Sequence, residues 1–209
     1  SYRETITNAK KNNFLSSVYF GENNIGIAFL DNSTGEFLVT EGNPDYIKKL
    51  LQSFSPSEII LQKTNEKKFI LEFGENFLTY LLDDWIFNDD YSNELLLNQF
   101  NTVSLKGFGI SNLKSGAISA GAVLHYLKET HHNLTKHISS ISRIDQDQYV
   151  WMDKFTIQNL EIFESSNEKA RTLIDIFDHT LSSMGSRMIR RWLAFPLKEI
   201  KEILPFAAS

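Results

Sequence analysis

The sequence predicts an α/β domain followed by a helical region, and three observations carry that prediction. A three-stranded antiparallel meander opens the pattern. A crossover helix then leads into a short strand that is apolar on both sides. After a polar stretch at residues 128–136 the periodicity becomes wholly helical. The 209 residues suffice for one large domain or two modest ones, at the usual ~100–200 residues per domain.

The meander starts with the apolar run Phe14-Leu15-Ser16-Ser17-Val18-Tyr19-Phe20. The turn residues Gly21-Glu22-Asn23-Asn24 separate it from Ile25-Gly26-Ile27-Ala28-Phe29-Leu30, and Asp31-Asn32-Ser33-Thr34-Gly35 supplies the second turn. Glu36-Phe37-Leu38-Val39-Thr40-Glu41 alternates as a half-buried strand does. Pro44 marks a helix start, with Tyr46, Ile47, Leu50, Leu51 and Phe54 at helical spacing until Ser55-Pro56 stops it. Glu58-Ile59-Ile60-Leu61 is short, apolar and suited to a buried parallel strand.

Residues 67–82 carry a further helical pattern through Phe69, Leu71, Phe73 and Phe77, which Gly74 is placed to divide; Trp85-Ile86-Phe87 reads as one more short strand. A helix is expected over residues 92–100 and another over 116–129, where Ala117, Ala120, Gly121 and Leu124 form a small-residue face suited to close packing. Beyond the polar stretch, Tyr149-Val150-Trp151-Met152-Asp153 is compact and apolar. Helical spacing follows through Phe155, Ile157, Leu160, Ile162 and Phe163, pauses at Ser165-Ser166-Asn167, and resumes over 173–177 and 182–195 before Pro196.

Composition excludes several classes. Hydrophobic residues make up 42% and prolines number only 4, so the chain has the material for a core and is not globally disordered. The formal charge of −5 disfavours a basic nucleic-acid wrapper or a stand-alone DNA-binding module. The absence of cysteine removes disulfides, thiolate metal sites and cysteine nucleophiles. Neither a signal peptide nor an apolar run of roughly 18 residues is present, so a soluble, cytoplasmic chain is expected. The start at Ser1 and the ending at Pro205-Phe206-Ala207-Ala208-Ser209 suggest a piece of a longer protein.

Tests for chemistry give mostly negative answers. Asp31, at a strand end, sits where polynucleotidyl-transfer enzymes of the ribonuclease H type keep a metal-binding carboxylate, so a metal-dependent nuclease using Asp31 is an alternative; Asp83-Asp84 and Asp89-Asp90 could contribute. Ordinary hairpin-turn chemistry accounts for the same residues. His125, His131, His132 and His137 lack the HExxH arrangement of a zincin, and no GxSxG elbow occurs. Gly116-Ala117-Ile118-Ser119-Ala120-Gly121 matches half of a phosphate-binding loop, but Ala122-Val123 replaces the Lys and Ser/Thr that hold phosphate and magnesium. The basic group Arg187, Arg190, Arg191, Lys198 and Lys201 suits phosphate contact or, more simply, a solvated or interdomain-pairing face.

Longer strings carry a resemblance. Asn159-Leu160-Glu161-Ile162, then Leu173-Ile174-Asp175-Ile176-Phe177-Asp178-His179-Thr180, and above all Met184-Gly185-Ser186-Arg187-Met188-Ile189-Arg190-Arg191-Trp192-Leu193-Ala194-Phe195-Pro196-Leu197 resemble the start of the core domain of the MutS DNA mismatch-repair family. Upstream, the stretch from Gly26 to Gly35 with Glu36-Phe37, then Gln99-Phe100, Gly107-Phe108-Gly109 and the stretch from Ala117 to Tyr126, resemble that family's connector domain.

The resemblance implies a ribonuclease H-like α/β connector over residues 1–136 and the first all-α part of the core, or lever, domain over 137–209. It also implies a role for the parent protein: a dimer with a second MutS subunit that recognises mispaired double-stranded DNA, becomes an ATP-dependent sliding clamp and recruits a MutL-like protein. ATP and magnesium would be held by a domain outside these residues, and this part would be a non-catalytic connector with no catalytic, cofactor or metal residues. Asn93, Glu94 and Leu95 are expected by position to form part of the MutL-docking surface. Phe20-Gly21-Glu22 and Phe73-Gly74-Glu75 share three letters with the family's Phe-x-Glu mispair wedge but lack its context, and read as coincidences.

Overall fold

The computed structural model describes residues 14–130 and 137–145, together with Leu173, Ile176, Gly185, Ile189 and Leu193, all five of which are helical. The expected elements at 149–163 lie outside the described residues, as do most of those at 173–177 and 182–195 and the basic group from Arg187 to Lys201.

Six strands form one mixed sheet in the order β5-β4-β1-β2-β3-β6. Strands β1 (Phe14–Phe20), β2 (Ile25–Asp31) and β3 (Phe37–Gly42) make the expected antiparallel meander. Asn43 caps helix α1 (Pro44–Phe54), its Oδ1 accepting the Tyr46 N–H at 2.9 Å, while Pro44 occupies the first turn, where no amide hydrogen is needed. That crossover returns the chain to β4 (Glu58–Gln62), which runs parallel to β1.

Two expectations fail here. The helical pattern over 67–82 yields α2 (Glu66–Phe73) only. Gly74, at φ 93°, ends it, and Thr79–Leu82 becomes β5, parallel to β4. The free edge of β4 offers backbone hydrogen bonds that outweigh the local spacing, and Leu71, counted in the helical pattern, is 88% exposed. Trp85-Ile86-Phe87 is no strand either. Residues Asp84–Ile86 form a 3-10 turn closed by the Phe87 N–H on the Asp84 carbonyl at 3.2 Å.

Helix α3 (Asp89–Gln99) and helix α4 (Lys114–Thr130) pack on one another and on one face of the sheet. Leu15, Ala28, Leu30, Phe37, Val39 and Ile60 share a single buried cluster with residues of both helices. The alternate strand positions, among them Val18, Ile27, Phe29, Ile59 and Leu61, are buried on the opposite face. Phe20 meets Phe73 of α2 there at a ring separation of 6.2 Å. Coverage of both faces explains why all of β2 is buried. A last strand, β6 (Ser142–Arg143), pairs parallel with β3, so the sheet continues past residue 136.

The small-residue face of α4 has a specific use. Gly26 of β2 lies under the first turn of α4, and a Cβ there would run into the backbone of Ser115 and Gly116. Gly121 lies against Ser92 of α3, where a Cβ would come within 2.7 Å of the Ser92 Cα. Glycine at these two places lets strand, α4 and α3 approach backbone to backbone.

Candidate partner-docking surface

The groups tested for chemistry resolve into local structure. The Asp31 carboxylate is buried in its own turn, with Oδ1 accepting the Ser33 N–H at 2.7 Å while the Asp31 carbonyl accepts the Gly35 N–H at 2.8 Å. This is an Asx turn. Asp83 pairs with Lys63 at 2.5 Å, an ion pair that raises the lysine pKa. Asp84 accepts the Thr64 hydroxyl at 3.2 Å, and Asp89 accepts an Asn93 amide hydrogen at 3.1 Å. Among the described residues no three His, Asp or Glu side chains gather into a group that could hold a metal ion. His137 contacts the Asn32 carbonyl oxygen through Nε2 at 3.0 Å, while His131 and His132 lie outside the described residues.

The half-match to a phosphate loop is also explained. Its glycines lie within α4, and the helix N-terminus already has an anion: Oε2 of Glu41 accepts the Ser115 and Gly116 N–H groups at 2.9 and 3.2 Å. Free amide hydrogens in a first helical turn favour a negative charge, and here a strand residue 74 positions upstream supplies it. Replacing this carboxylate, as in Glu41→Gln, is expected to destabilise the fold by about 1 kcal/mol, read as a lower midpoint in urea at unchanged slope. An unchanged midpoint would mean that the contact contributes nothing.

Helix α3 carries the residues expected to meet a partner. Its inward stripe is Ser92, Leu95 and Leu96. Leu95 therefore belongs to the core, at 7% exposure, and drops out of the expected surface. Asn93 is half-buried and tied to Asp89, and Glu94 is exposed.

Beside Glu94 the structure assembles a cluster that periodicity alone does not show. Trp85, 60% exposed, leans on Tyr91 and His125 with ring separations of 5.3 and 5.6 Å. The Tyr91 hydroxyl lies 2.8 Å from His125 Nδ1, and His125 Nε2 lies 3.5 Å from a Glu129 carboxylate oxygen. A neutral imidazole protonated on Nε2 fits both neighbours, taking the phenol hydrogen at Nδ1. Burial lowers the His125 pKa against the opposing pull of Glu129. It also raises that of Tyr91, helped by the negative charges of Glu129 and Glu94. One residue on, the Tyr126 hydroxyl donates to Glu58 at 2.9 Å, and burial together with that bond pushes its pKa up to about 12.

Comparison with known proteins gives this architecture a family. The model of MutS domain II matches residues 13–139, and that of MutS domain III matches residues 155–204. The DNA mismatch repair protein MutS of Flavobacterium psychrophilum is 58% identical over 95% of this chain. The MutS proteins of Christiangramia forsetii and Parabacteroides distasonis are 54% and 48% identical over 96% and 97% of it. The chain spans 23% of the length of each of these relatives. A solved fowlpox virus resolvase bound to Holliday junction DNA superposes with a TM-score of only 0.41 at 13% identity, over 56% of this chain and 99% of the resolvase, too remote a likeness to carry weight. The matched domains follow one another along a chain that keeps nearly half or more of its residues in common with these relatives, and it therefore belongs to the MutS family of DNA mismatch repair proteins.

Proposed function

We propose that these residues are the connector and the first core helices of a MutS protein, and that they transmit conformational change and dock a MutL-like partner without catalysing a reaction themselves. The observation that carries the reading is the exposure of Glu94 on a helix clamped, through Gly121, to a sheet-backed body. A side chain on such a body keeps its position when the body moves, which suits a docking element. The meander order β3-β2-β1 followed by parallel β4 and β5 supports a ribonuclease H-like connector. We place its end at Ile144, where the sheet unit ends, instead of at residue 136. The engagement of Asp31 in its own turn supports a scaffold role over the nuclease alternative.

The parent protein, on this reading, pairs with a second MutS subunit, recognises mispaired DNA and slides as a clamp, with ATP and magnesium bound by a domain beyond these residues. Transmission requires connector and core to change relative orientation between the nucleotide-bound and DNA-bound forms of the whole protein. Charge reversal tests docking: Glu94→Lys in full-length protein is expected to weaken MutL recruitment to mismatched DNA by about tenfold, with mispair binding unchanged. Recruitment at the original level would remove Glu94 from the interface.

A further inference from the structure

The cluster around Trp85 has chemistry that the family assignment does not specify. An indole that is 60% exposed is supported underneath by Tyr91 and by the nearly buried His125 ring, so it is held in place before anything binds. Pre-set aromatic surface costs little ordering entropy on binding. Carboxylates border it: Glu129, whose side chain is 63% exposed, lies 3.5 Å from His125, and the exposed Glu94 follows Tyr91 by three residues on α3. Among the described residues no lysine or arginine forms an ion pair with either acid. Lys114 is turned to Asp89 at 3.7 Å.

We propose that Trp85, Tyr91 and Glu129 form a docking site for a partner-protein segment that presents an arginine or lysine beside apolar side chains. The cation would lie on the indole face with its charge toward Glu129, and the flanking apolar atoms would cover the rest of the ring. Charge complementarity selects this occupant. An acidic segment would be repelled by Glu129 and Glu94, and a purely apolar one would desolvate Glu129 with only the neutral His125 N–H facing it and no countercharge. The proposal rests on the α3 side being a docking face, and adds the chemistry of what docks there.

The test is panning of a random dodecapeptide display library on the 209-residue chain, followed by fluorescence-anisotropy titration of synthetic hits. Hits are expected to be enriched in arginine or lysine next to apolar residues. Affinity should fall about tenfold in Trp85→Ala, less in Trp85→Phe, and about threefold with a flatter salt dependence in Glu129→Gln. Both altered residues are exposed, and an unchanged far-UV circular dichroism spectrum confirms that the variants fold. Acidic or uncharged hits, equal binding by Trp85→Ala, or self-association in sedimentation that Trp85→Ala abolishes would each overturn the site. Parallel measurement of MutL recruitment separates the two readings. Loss in Glu94→Lys with no effect of Trp85→Ala sinks this site alone, whereas no loss in either variant sinks the docking face as well.

Discussion

Gly26→Val is expected to be the most damaging single substitution in the sheet unit, destabilising it by about 3 kcal/mol or more. A Cβ at position 26 meets no flexible side chain that could swing away. Its nearest neighbours are the carbonyl of Ser115 and the amide nitrogen of Gly116, the backbone of the first turn of α4. To admit even a methyl group, the helix must lift from β2. Glu41, the register partner of Gly26 on β3, holds the same turn through its carboxylate, so lifting also breaks both capping hydrogen bonds. Loss of packing and of caps then coincide. For a chain of this size the thermal midpoint should fall by roughly 6–12 °C. Gly26→Ala should fall in the same direction by less. Gly107→Ala is the control: no atom lies within 4 Å of its Cβ, and the midpoint should stay within the ~0.5 kcal/mol typical of surface changes. Equal midpoints for Gly26→Ala and Gly107→Ala would refute the close-approach account.

Why Gly26 and Glu41 could not be identified from sequence is instructive beside what could. Strands β1 to β4 and helices α1, α3 and α4 follow from local signals: apolar runs bounded by Gly, Asn and Asp turns, a Pro at a helix start, and three- and four-residue spacing. Those signals act within a few residues. Glu41 binds 74 residues away, and nothing around it distinguishes it from any polar residue at a strand end. Strand β5 was missed for a related reason, since Thr79-Tyr80-Leu81-Leu82 has no alternation of its own and becomes a strand only because β4 lies beside it. The surface shows the same division. Burial of Leu95 was open to inference from the Ser92, Leu95, Leu96 stripe, whereas the Trp85 cluster needs α4 to bring His125 and Glu129 to α3.

Substitution at Gly121 should couple stability to the surface. In Gly121→Leu the new side chain would start within 2.7 Å of the Ser92 Cα and 2.5 Å of its Cβ, so α3 must move away from α4. Ser92 is itself fully buried, and close-packed interiors absorb added volume poorly. The expected cost is about 2–3 kcal/mol. Displacement of α3 has a second consequence, because Tyr91 and Glu94 are on α3 whereas His125 and Glu129 are on α4. A shift of one ångström would stretch the 2.8 Å contact between the Tyr91 hydroxyl and His125 Nδ1 beyond hydrogen-bond range. The imidazole would then lose the partner that orients it beneath Trp85. Gly121→Leu should therefore change the histidine Nδ1 resonance in nitrogen-15 spectra even at a temperature where the variant remains folded and, on the docking role proposed above, should weaken MutL recruitment by the full-length protein. Gly121→Ala should act in the same direction by less, and pairing it with Ser92→Gly, which removes the Oγ and Cβ contacts and leaves the one to the Cα, should recover part of that smaller loss. If the double variant is no better than Gly121→Ala alone, the contact between the Ser92 side chain and α4 at this point does not hold the surface in place.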